Sequence, residues 1–470
     1  MTFRLFQKVI ACSLLVSLFG AGCTKAPDVA TVNASKPIAL QVWGVGEDID
    51  AYSQVNADYR GLHPNVNIQF RRFRLEEYEQ QLLNAFAEDR GPDMFLIHND
   101  WLGKYMTKIV PMPATTNVAY SVITGTLNKQ ATWIMQADPS ITLKDYKDSF
   151  ADVCLQDTIR TVNVAKEDEA PSMKPSIMGL PVYIDTMAMY YNKDLLNAAN
   201  IAGPADNWTD FQDQVKSLTQ VSSNSDILQS GAAMGTGNNV DRAQDLLTVL
   251  MMQNGAQMAS DDGAPTFNII PQNLQGKVSL PPSFQALEFY TDFANPTKET
   301  YTWNASMPNS LDAFIQGRVA YFFGYAYHLP MINARAPKLN LGIAKMPQIP
   351  NNPVRNIANY WFWVVSKKSK NQDVAWNLMN FMVKPEESKK ILDFTKKPAA
   401  RKSMIKDQLN DESVGVFASQ VLSAKSWYRG KDPAVVSQAF TQMMASVLDG
   451  TLRTDQAVND AASRVSQSYQ

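Results

Sequence analysis

The sequence holds few of the residues that build covalent or metal-centred sites. It has three cysteines among 470 residues, and two of them, Cys12 and Cys23, lie close to the N-terminus. That leaves Cys154 alone, which excludes an internal disulfide and a cysteine-based metal cluster. Its apolar neighbours predict that Cys154 is a small buried side chain and not a reactive thiol. We therefore expect neither a metal nor a cofactor.

Histidine is also scarce, and the motifs of common hydrolases are missing. His63, His98 and His328 are far apart, and the chain has no G-x-S-x-G and no H-E-x-x-H. His98 follows an apolar run and could line a cleft, although a structural role is the simpler interpretation. The sequence thus predicts a protein that is not an enzyme. Because the two acids of a glycosidase need no fixed spacing, a carbohydrate-active hydrolase or lyase stays as an alternative.

Neither sign of charge is in large excess. There are 43 basic and 45 acidic residues, the formal charge is −2, and no basic stripe stands out. This composition gives no sign of nucleic-acid binding. Hydrophobic residues make up 45% and charged residues 19% of the chain, which is typical of a globular protein.

The chain has no apolar run at its start that is long enough to span a membrane. Arg4 and Lys8 precede an apolar segment, residues 9–22, that is too short for a span and fits a signal peptide. Its end, Leu-Phe-Gly-Ala-Gly-Cys23, resembles a bacterial lipoprotein signal, in which Cys23 would carry the lipid. We expect a signal peptide over residues 1–22, a flexible tether over 23–36 and a lipid-anchored protein on the extracytoplasmic face of the cell membrane. An ordinary signal peptide cut nearby is the alternative.

Alternating apolar residues follow the tether. Residues 38–42, 66–70 and 94–97 read as strands, with helical patterns between them, which predicts a parallel sheet with right-handed crossovers. Ligands of such sheets bind beyond the carboxyl ends of the strands. Candidate binding residues at that edge are Trp43, Glu47, Asp48, Asp100 and Trp101.

The most informative stretch runs from Gly179 to Asp210. It contains a Gly-Leu-Pro turn, a buried strand that ends in Tyr-Tyr-Asn-Lys-Asp-Leu, and a helix that begins at Asn-Trp-Thr-Asp-Phe. Residues 311–324 (Leu-Asp-Ala-Phe-Ile-Gln-Gly-Arg-Val-Ala-Tyr-Phe-Phe-Gly) and the Ala-Trp helix of residues 370–382 follow in order. Together these segments resemble the family 1 extracellular solute-binding proteins, a sugar-binding group. The resemblance covers residues 37–470.

The resemblance implies a two-lobe α/β fold of the periplasmic-binding-protein type, class II. Each lobe would hold a mostly parallel sheet flanked by helices, with the ligand cleft between the lobes. We expect an N-terminal lobe from residues 37–181 and 319–355, and a C-terminal lobe from 182–318 and 356–470. The hinge segments would lie near Pro181, residues 318–321 and residues 347–357. Residues 102–178 form an excursion with no assigned role.

A sugar site needs aromatic faces that stack on pyranose rings and polar groups that bind hydroxyls, on the walls of a cleft. The aromatic candidates are Trp43, Trp101, Tyr183, Trp303, Tyr325, Trp361, Trp363 and Trp427. The polar candidates are Glu47, Asp48, Asp100, Asp185 and Arg429. Trp208 and Trp376 fit core positions better.

The resemblance implies a substrate-binding lipoprotein of an ABC importer that captures a small solute by hinge closure, and we expect that solute to be an oligosaccharide. Its partners would be the transmembrane permease subunits and, through the lipid, the membrane; we expect a monomer. A surface sensor subunit on the same fold is an alternative alongside the hydrolase. A neighbouring permease gene pair would favour the importer over the sensor, and product formation would favour the hydrolase.

Overall fold

The computed structural model describes residues 36–46, 48–124, 130–165, 169–224 and 226–469. The predicted signal peptide, Cys23 and nearly all of the predicted tether lie outside these residues. The strands in chain order are β1 (Ile38–Val45), β2 (Val66–Phe73), β3 (Met94–His98), β4 (Ile109–Val110), β5 (Thr115–Thr124), β6 (Gln130–Pro139), β7 (Ile159–Asn163), β8 (Met173–Ile177), β9 (Asp185–Thr186), β10 (Ala188–Asn192), β11 (Gln220–Val221), β12 (Ile227–Ala232), β13 (Val319–Gly324), β14 (Leu341–Ala344), β15 (Asn356–Asn359), β16 (Trp361–Ser366) and β17 (Ala424–Lys425).

The α-helices lie between these strands and at the C-terminus. In chain order they are α1 (Ser53–Leu62), α2 (Leu75–Ala87), α3 (Leu102–Tyr105), α4 (Leu143–Ser149), α5 (Asp152–Thr158), α6 (Lys193–Ala198), α7 (Trp208–Leu218), α8 (Ala243–Gln253), α9 (Pro282–Asp292), α10 (Ser310–Ile315), α11 (His328–Arg335), α12 (Gln372–Met382), α13 (Pro385–Thr395), α14 (Lys402–Gln408), α15 (Gly415–Ala418), α16 (Pro433–Leu448) and α17 (Thr454–Gln467). Short 3-10 turns lie at Asp48–Tyr52, Gln272–Leu274 and Val421–Ser423.

The first lobe is built on a five-stranded sheet in the order β2-β1-β3-β16-β4. Strand β1 pairs in parallel with both β2 and β3, as the sequence predicts, and β16 runs antiparallel to β3. Leu40, Val42 and Ile97 are completely buried, because helices cover the sheet. The carboxyl ends of β1 and β3 therefore open on one edge, where the residues after each strand can meet.

The second lobe has a sheet in the order β11-β12-β13-β10-β14. Here only the β12–β13 pairing is parallel; the other three pairings are antiparallel, so this sheet is mixed and not mostly parallel. Strand β10 leads directly into α6, whose first turn is capped by the Asn192 side chain, which accepts a hydrogen bond from the Asp194 N–H at 3.0 Å.

Three strands lie in the opposite lobe from the one expected. Residues 319–324 and 341–344 pair with β10 in the second lobe, and residues 361–366 pair with β3 and β4 in the first. The expected assignment of residues 319–355 to the N-terminal lobe and of all residues from 356 to 470 to the C-terminal lobe is therefore wrong. Strands β13 and β16 are apolar and almost fully buried, so their sequences fit either sheet, and only the pairing partner decides.

A three-stranded sheet, β17-β15-β9, joins the lobes. Two buried clusters meet at it. The first-lobe cluster holds residues up to Ile184 and resumes at Ala358, and the second-lobe cluster begins at Met187 and includes Ile357. The chain crosses again at residues 357–358 and a third time after β17, so each strand of this sheet belongs to one crossing segment. We name it the hinge sheet. It lies four residues after Pro181 and includes residues 356–357, whereas the expected hinge at residues 318–321 is wrong because β13 lies inside the second lobe.

Residues 102–178 contain two antiparallel hairpins on the first lobe, β5–β6 and β7–β8. The first is fixed to α12, where the Asn377 amide donates to the Thr116 hydroxyl at 3.0 Å and to Asp138 Oδ2 at 2.9 Å. The second hairpin follows α5, in which Cys154 is completely buried, as predicted. Burial raises the pKa of the Cys154 thiol well above its ordinary value. Among the described residues, no helix combines the length and the apolar character needed to cross a bilayer.

Candidate functional site

The first lobe places a polar and aromatic group at the end of β3, next to the hinge sheet. Trp361, the first residue of β16, lies opposite His98 in the antiparallel register. The ring of Trp361 contacts that of Trp101 edge-on, with centroids 5.2 Å apart, and that of His98 at 5.3 Å. Asp100 lies in the short segment between β3 and α3, and a third of its side chain is exposed. This group brings together three of the predicted site residues, Asp100, Trp101 and Trp361.

His98 connects this group to the hinge sheet. Its Nδ1 lies 2.5 Å from Asp100 Oδ1, and its Nε2 lies 3.0 Å from Asn359 Oδ1 in β15. Burial lowers the pKa of His98, but the Asp100 carboxylate outweighs that effect, so the pKa lies above its ordinary value. Because both nitrogens face oxygen acceptors, the protonated imidazolium can donate to both.

The second lobe contributes Arg242, at the start of α8. Arg242 Nε donates to Asp245 Oδ2 at 2.6 Å, and the Tyr325 hydroxyl donates to the same oxygen at 2.6 Å. The guanidinium carbon lies 5.7 Å from the centre of the Tyr325 ring. Arg242 has a φ of +55°, a left-handed conformation that is uncommon for a residue with a side chain. Such strain is often found at functional positions.

The charge of Arg242 acts across the gap between the lobes. Burial raises the pKa of Asp100, but His98 and Arg242 outweigh it, so the pKa lies below its ordinary value. Tyr327, which stacks on Tyr325 with ring centres 5.7 Å apart, also lies within the electrostatic reach of Arg242. A carboxylate on one lobe is therefore within the electrostatic reach of a guanidinium on the other, and Arg242 keeps 31% of its side chain exposed.

The hinge strand β9 holds the Tyr325–Tyr327 loop in place. Asp185 Oδ1 accepts from the Ala326 N–H at 2.9 Å, and its Oδ2 accepts from the Tyr327 N–H at 3.3 Å. Burial raises the pKa of Asp185 to about 7, against the lowering effect of these N–H donors. Only 2% of Asp185 is exposed, so in this structure it positions the loop, and its binding role stays a prediction.

His328 supports the same loop and makes stability depend on pH. Its Nδ1 accepts the Tyr325 N–H at 2.9 Å, and burial lowers its pKa to about 3. The unfolded pKa is about 6.5, so the stability from neutral His328 is complete above that pH and is lost as pH falls towards 3. Between about pH 6.5 and 4, we expect the free energy of unfolding to fall by about 3 kcal/mol more than in His328→Asn. Denaturant unfolding at several pH values measures this, and parallel profiles for both chains would contradict it.

Beyond the polar groups, the backbones of the two lobes touch. A Cβ added at Gly103, in α3, would overlap the carbonyl oxygen of Gly430 and lie 2.6 Å from that of Arg429. Arg429 Nη2 also lies 3.8 Å from Asp157 Oδ1 on the first lobe. The predicted site residue Arg429 thus lies at the boundary between the lobes, where its backbone meets Gly103, two residues after Trp101.

Several predicted aromatic platforms have buried rings that present no open face in this structure, and their binding roles stay predictions. Trp303, Trp363 and Tyr325 expose at most 1% of their surface; each packs inside one lobe. Trp43 is 6% exposed and lies beneath the Arg71 guanidinium, and Trp427 packs against Phe267 and Phe440.

Three further candidates have other outcomes. Tyr183 is 5% exposed, with the Lys397 ammonium 4.3 Å from its ring centre. The backbone of Asp48 belongs to a 3-10 turn, and Glu47 lies outside the described residues.

The sequence analysis does not identify Arg242 and Tyr327. Neither belongs to a motif: Arg242 follows a Gly- and Asn-rich segment that reads as a loop, and Tyr327 follows the buried strand β13 by three residues. The structural feature that marks Arg242 is its position directly before α8, a helix that begins without a hydrogen bond from a capping side chain. Within the described ranges, no group of three or more His, Cys, Asp or Glu residues could hold a metal ion.

Comparison with known proteins gives consistent results. A family model described as "Bacterial extracellular solute-binding protein" matches residues 45–389. A binding protein of Brucella abortus is 22% identical over 217 residues, 45% of this chain and 48% of that protein, so the chain spans about half of that relative's length. The galactooligosaccharide-binding protein of Bacillus subtilis is 23% identical over 396 residues, 83% of this chain and 80% of that protein.

Among solved structures, a cyclo/maltodextrin-binding protein in complex with maltotetraose is similar to this chain. The two share 18% sequence identity and a TM-score of 0.67, over 93% of this chain and 98% of that one. This likeness confirms the two-lobe α/β fold.

Proposed function

The chain belongs to the family of bacterial extracellular solute-binding proteins, and on that premise we propose that it captures an oligosaccharide between its lobes and delivers it to an ABC permease. The observation that carries this proposal is the pairing of groups from opposite lobes beside the hinge sheet. Asp100 lies beside Trp101 and Trp361 on the first lobe, within the electrostatic reach of Arg242 on the second lobe, where Tyr327 stacks on Tyr325 next to Arg242.

Each group has a role that suits a polyhydroxylated ligand. The partly exposed rings of Trp101 and Trp361 offer apolar faces to the C–H side of a pyranose. Asp100 is held ionised by His98 and accepts hydroxyl hydrogen bonds, and Arg242 donates them from the other lobe. Tyr327 adds a further aromatic surface.

The proposed mechanism is a shift between open and closed lobe arrangements. A ligand that contacts only one lobe has no preference for either arrangement, whereas a ligand that bridges Asp100 and Arg242 binds the closed one more tightly. Motion is confined to the hinge sheet, where the three crossing strands bend together. The permease would then recognise the closed arrangement.

The solute class rests on two supports. The relative from Bacillus subtilis is named for galactooligosaccharides, and the similar solved structure holds maltotetraose. The aromatic and carboxylate groups at the lobe boundary fit both ligands chemically, since each is a neutral chain of hexose rings. Galactooligosaccharides and maltodextrins are therefore the first ligands to test.

The test uses the chain from Thr24 onward, which contains every described residue. We expect isothermal titration calorimetry to show saturable binding of at least one of the two sugar series, with tryptophan fluorescence changing at the same concentrations because Trp101 and Trp361 line the site. Chromatography after incubation should recover the sugar unchanged. Sugar that is consumed would favour a hydrolase, and the absence of binding to both series would remove the oligosaccharide from the proposal.

Cellular location completes the proposal. We infer that Cys23 carries a lipid and holds the protein at the extracytoplasmic face of the membrane, because the residues before it form a lipoprotein-like signal. Incorporation of labelled palmitate that is lost in Cys23→Ser checks the anchor. Co-purification with permease subunits separates the importer from a sensor subunit.

A further inference from the structure

Two arginines from different lobes meet at one peptide oxygen. Arg160, in β7 of the first lobe, donates from Nη1 to the carbonyl oxygen of Gln156 at 2.9 Å. Arg429, beyond the hinge in the second lobe, donates from Nε to the same oxygen at 3.3 Å. Because both nitrogens bond one atom, they lie within about 6 Å of each other, a separation that one oxyanion can bridge. We name these two side chains the arginine pair.

Among the described residues, the carboxylate of Asp157 contacts the arginine pair, and it is largely used by other donors. Asp157 is 1% exposed, and its oxygens accept hydrogen bonds from the hydroxyls of Tyr360, at 2.7 Å, and Ser426. Arg429 reaches it only at 3.8 Å. One carboxylate, occupied by neutral donors, therefore faces two guanidinium charges, which leaves an excess of positive charge at the lobe boundary.

The repulsion between the two guanidinium groups agrees with an excess of positive charge at this place. Burial is the larger cause that lowers the pKa of Arg160, and the nearby charge of Arg429 lowers it further. The rest of the hydrogen bonding of the pair is to backbone carbonyls, those of Ile159 and Trp427, which carry no net charge. An added anion would thus relieve the repulsion and not displace an existing ion pair.

The pair is accessible from solvent. Gln156 is exposed at the end of α5, and Arg429 keeps 27% of its side chain exposed. The backbone of residues 429 and 430 also touches Gly103, two residues after Trp101, so the pair borders the proposed sugar site. A group bound here would be reached by the end of a ligand that occupies the cleft.

We propose that the arginine pair binds an oxyanion, and that this anion links the two lobes. Resting on the proposed function, the inference extends the ligand class to acidic oligosaccharides, whose carboxylate would lie between Arg160 and Arg429. A free inorganic anion that binds beside a neutral sugar has the same chemistry. In either case an anion that bridges the lobes favours the closed arrangement.

The first experiment tests the pair without any sugar. Sodium sulfate is titrated into the chain from Thr24 onward by calorimetry, with chloride keeping ionic strength constant. We expect saturable binding at millimolar concentrations, lost in Arg160→Gln and kept in Arg72→Gln, which removes an exposed first-lobe arginine paired with Asp50 at 3.2 Å. Equal sulfate binding by the unaltered chain and Arg160→Gln, or no binding by the unaltered chain, would overturn the proposal.

The second experiment identifies the source of the anion. α-1,4-Galactobiose and digalacturonate share a linkage and differ in their carboxylates. About tenfold tighter binding of digalacturonate, lost in Arg160→Gln while galactobiose affinity is unchanged, assigns the anion to the sugar. Sulfate binding with equal affinity for the two disaccharides assigns it to a free anion. Sulfate binding without affinity for any saccharide supports the pair but removes the sugar-binding function, so the two proposals fail separately.

Discussion

A chain carrying Gly103→Val is expected to keep its fold and to bind its sugar about 100-fold more weakly, a loss of about 2.7 kcal/mol. The added side chain would overlap backbone atoms of residues 429 and 430, which cannot rotate away as a flexible side chain can. The lobes must then stay further apart, and a ligand on Asp100 loses the contacts offered by Arg242. Calorimetry measures the affinity, and small-angle scattering with and without ligand measures closure.

Gly203→Val is the matched control, because a Cβ at Gly203 meets no atom within 4 Å. It should bind sugar and contract on binding as the unaltered chain does. The thermal unfolding midpoints of both variants should lie close to that of the unaltered chain, since neither glycine belongs to the core of a lobe. Unchanged affinity in Gly103→Val would show that the approach of the two backbones is not needed for binding.

Arg242→Gln should weaken sugar binding by about 10- to 100-fold. A hydrogen bond from a charged group contributes about 1.5–3 kcal/mol, and Arg242 is the second-lobe group whose charge lowers the pKa of Asp100. The glutamine side chain keeps one NH₂ group as a donor, but it loses the positive charge and the other N–H donors of the guanidinium. Calorimetry with the sugar that binds the unaltered chain measures the change.

Arg335→Gln is the matched control for that experiment. Arg335 also belongs to the second lobe and pairs with Asp312 at 2.6 Å, but both side chains are more than two-fifths exposed. Its loss should leave affinity unchanged, because exposed ion pairs contribute little and this one lies outside the proposed site. If Arg242→Gln and Arg335→Gln bind equally well, Arg242 has no part in the site.

Much of the first lobe can be predicted from sequence because its signals are local. The alternation of Leu40 and Val42 with polar residues fixes a strand, and helical spacing in the next segment fixes a crossover, so the parallel pairing of β1 with β2 and β3 follows. The helix start at Asn192 is equally local, since the cap lies within three residues of the groups it satisfies.

Long-range placement is where the sequence is insufficient. Residues 319–324 and 361–366 are apolar strands that suit either sheet, and their lobes depend on partners that are distant in sequence. The aromatic candidates show the same limit. Trp361 and Trp363 occupy alternate positions of one strand and point to the same side, yet Trp361 lies at the open edge while Trp363 packs beneath Tyr52.

The position of β16 between β3 and β4 has a consequence for how the chain is made and exported. Neither lobe is continuous in sequence, and the first sheet stays split until residues 361–366 have emerged. During synthesis, more than three-quarters of the chain must therefore be present before the first lobe can complete its sheet. Long-range pairing of this kind slows folding. Under the proposed export across a membrane, this delay would lengthen the time for which the new chain stays unfolded.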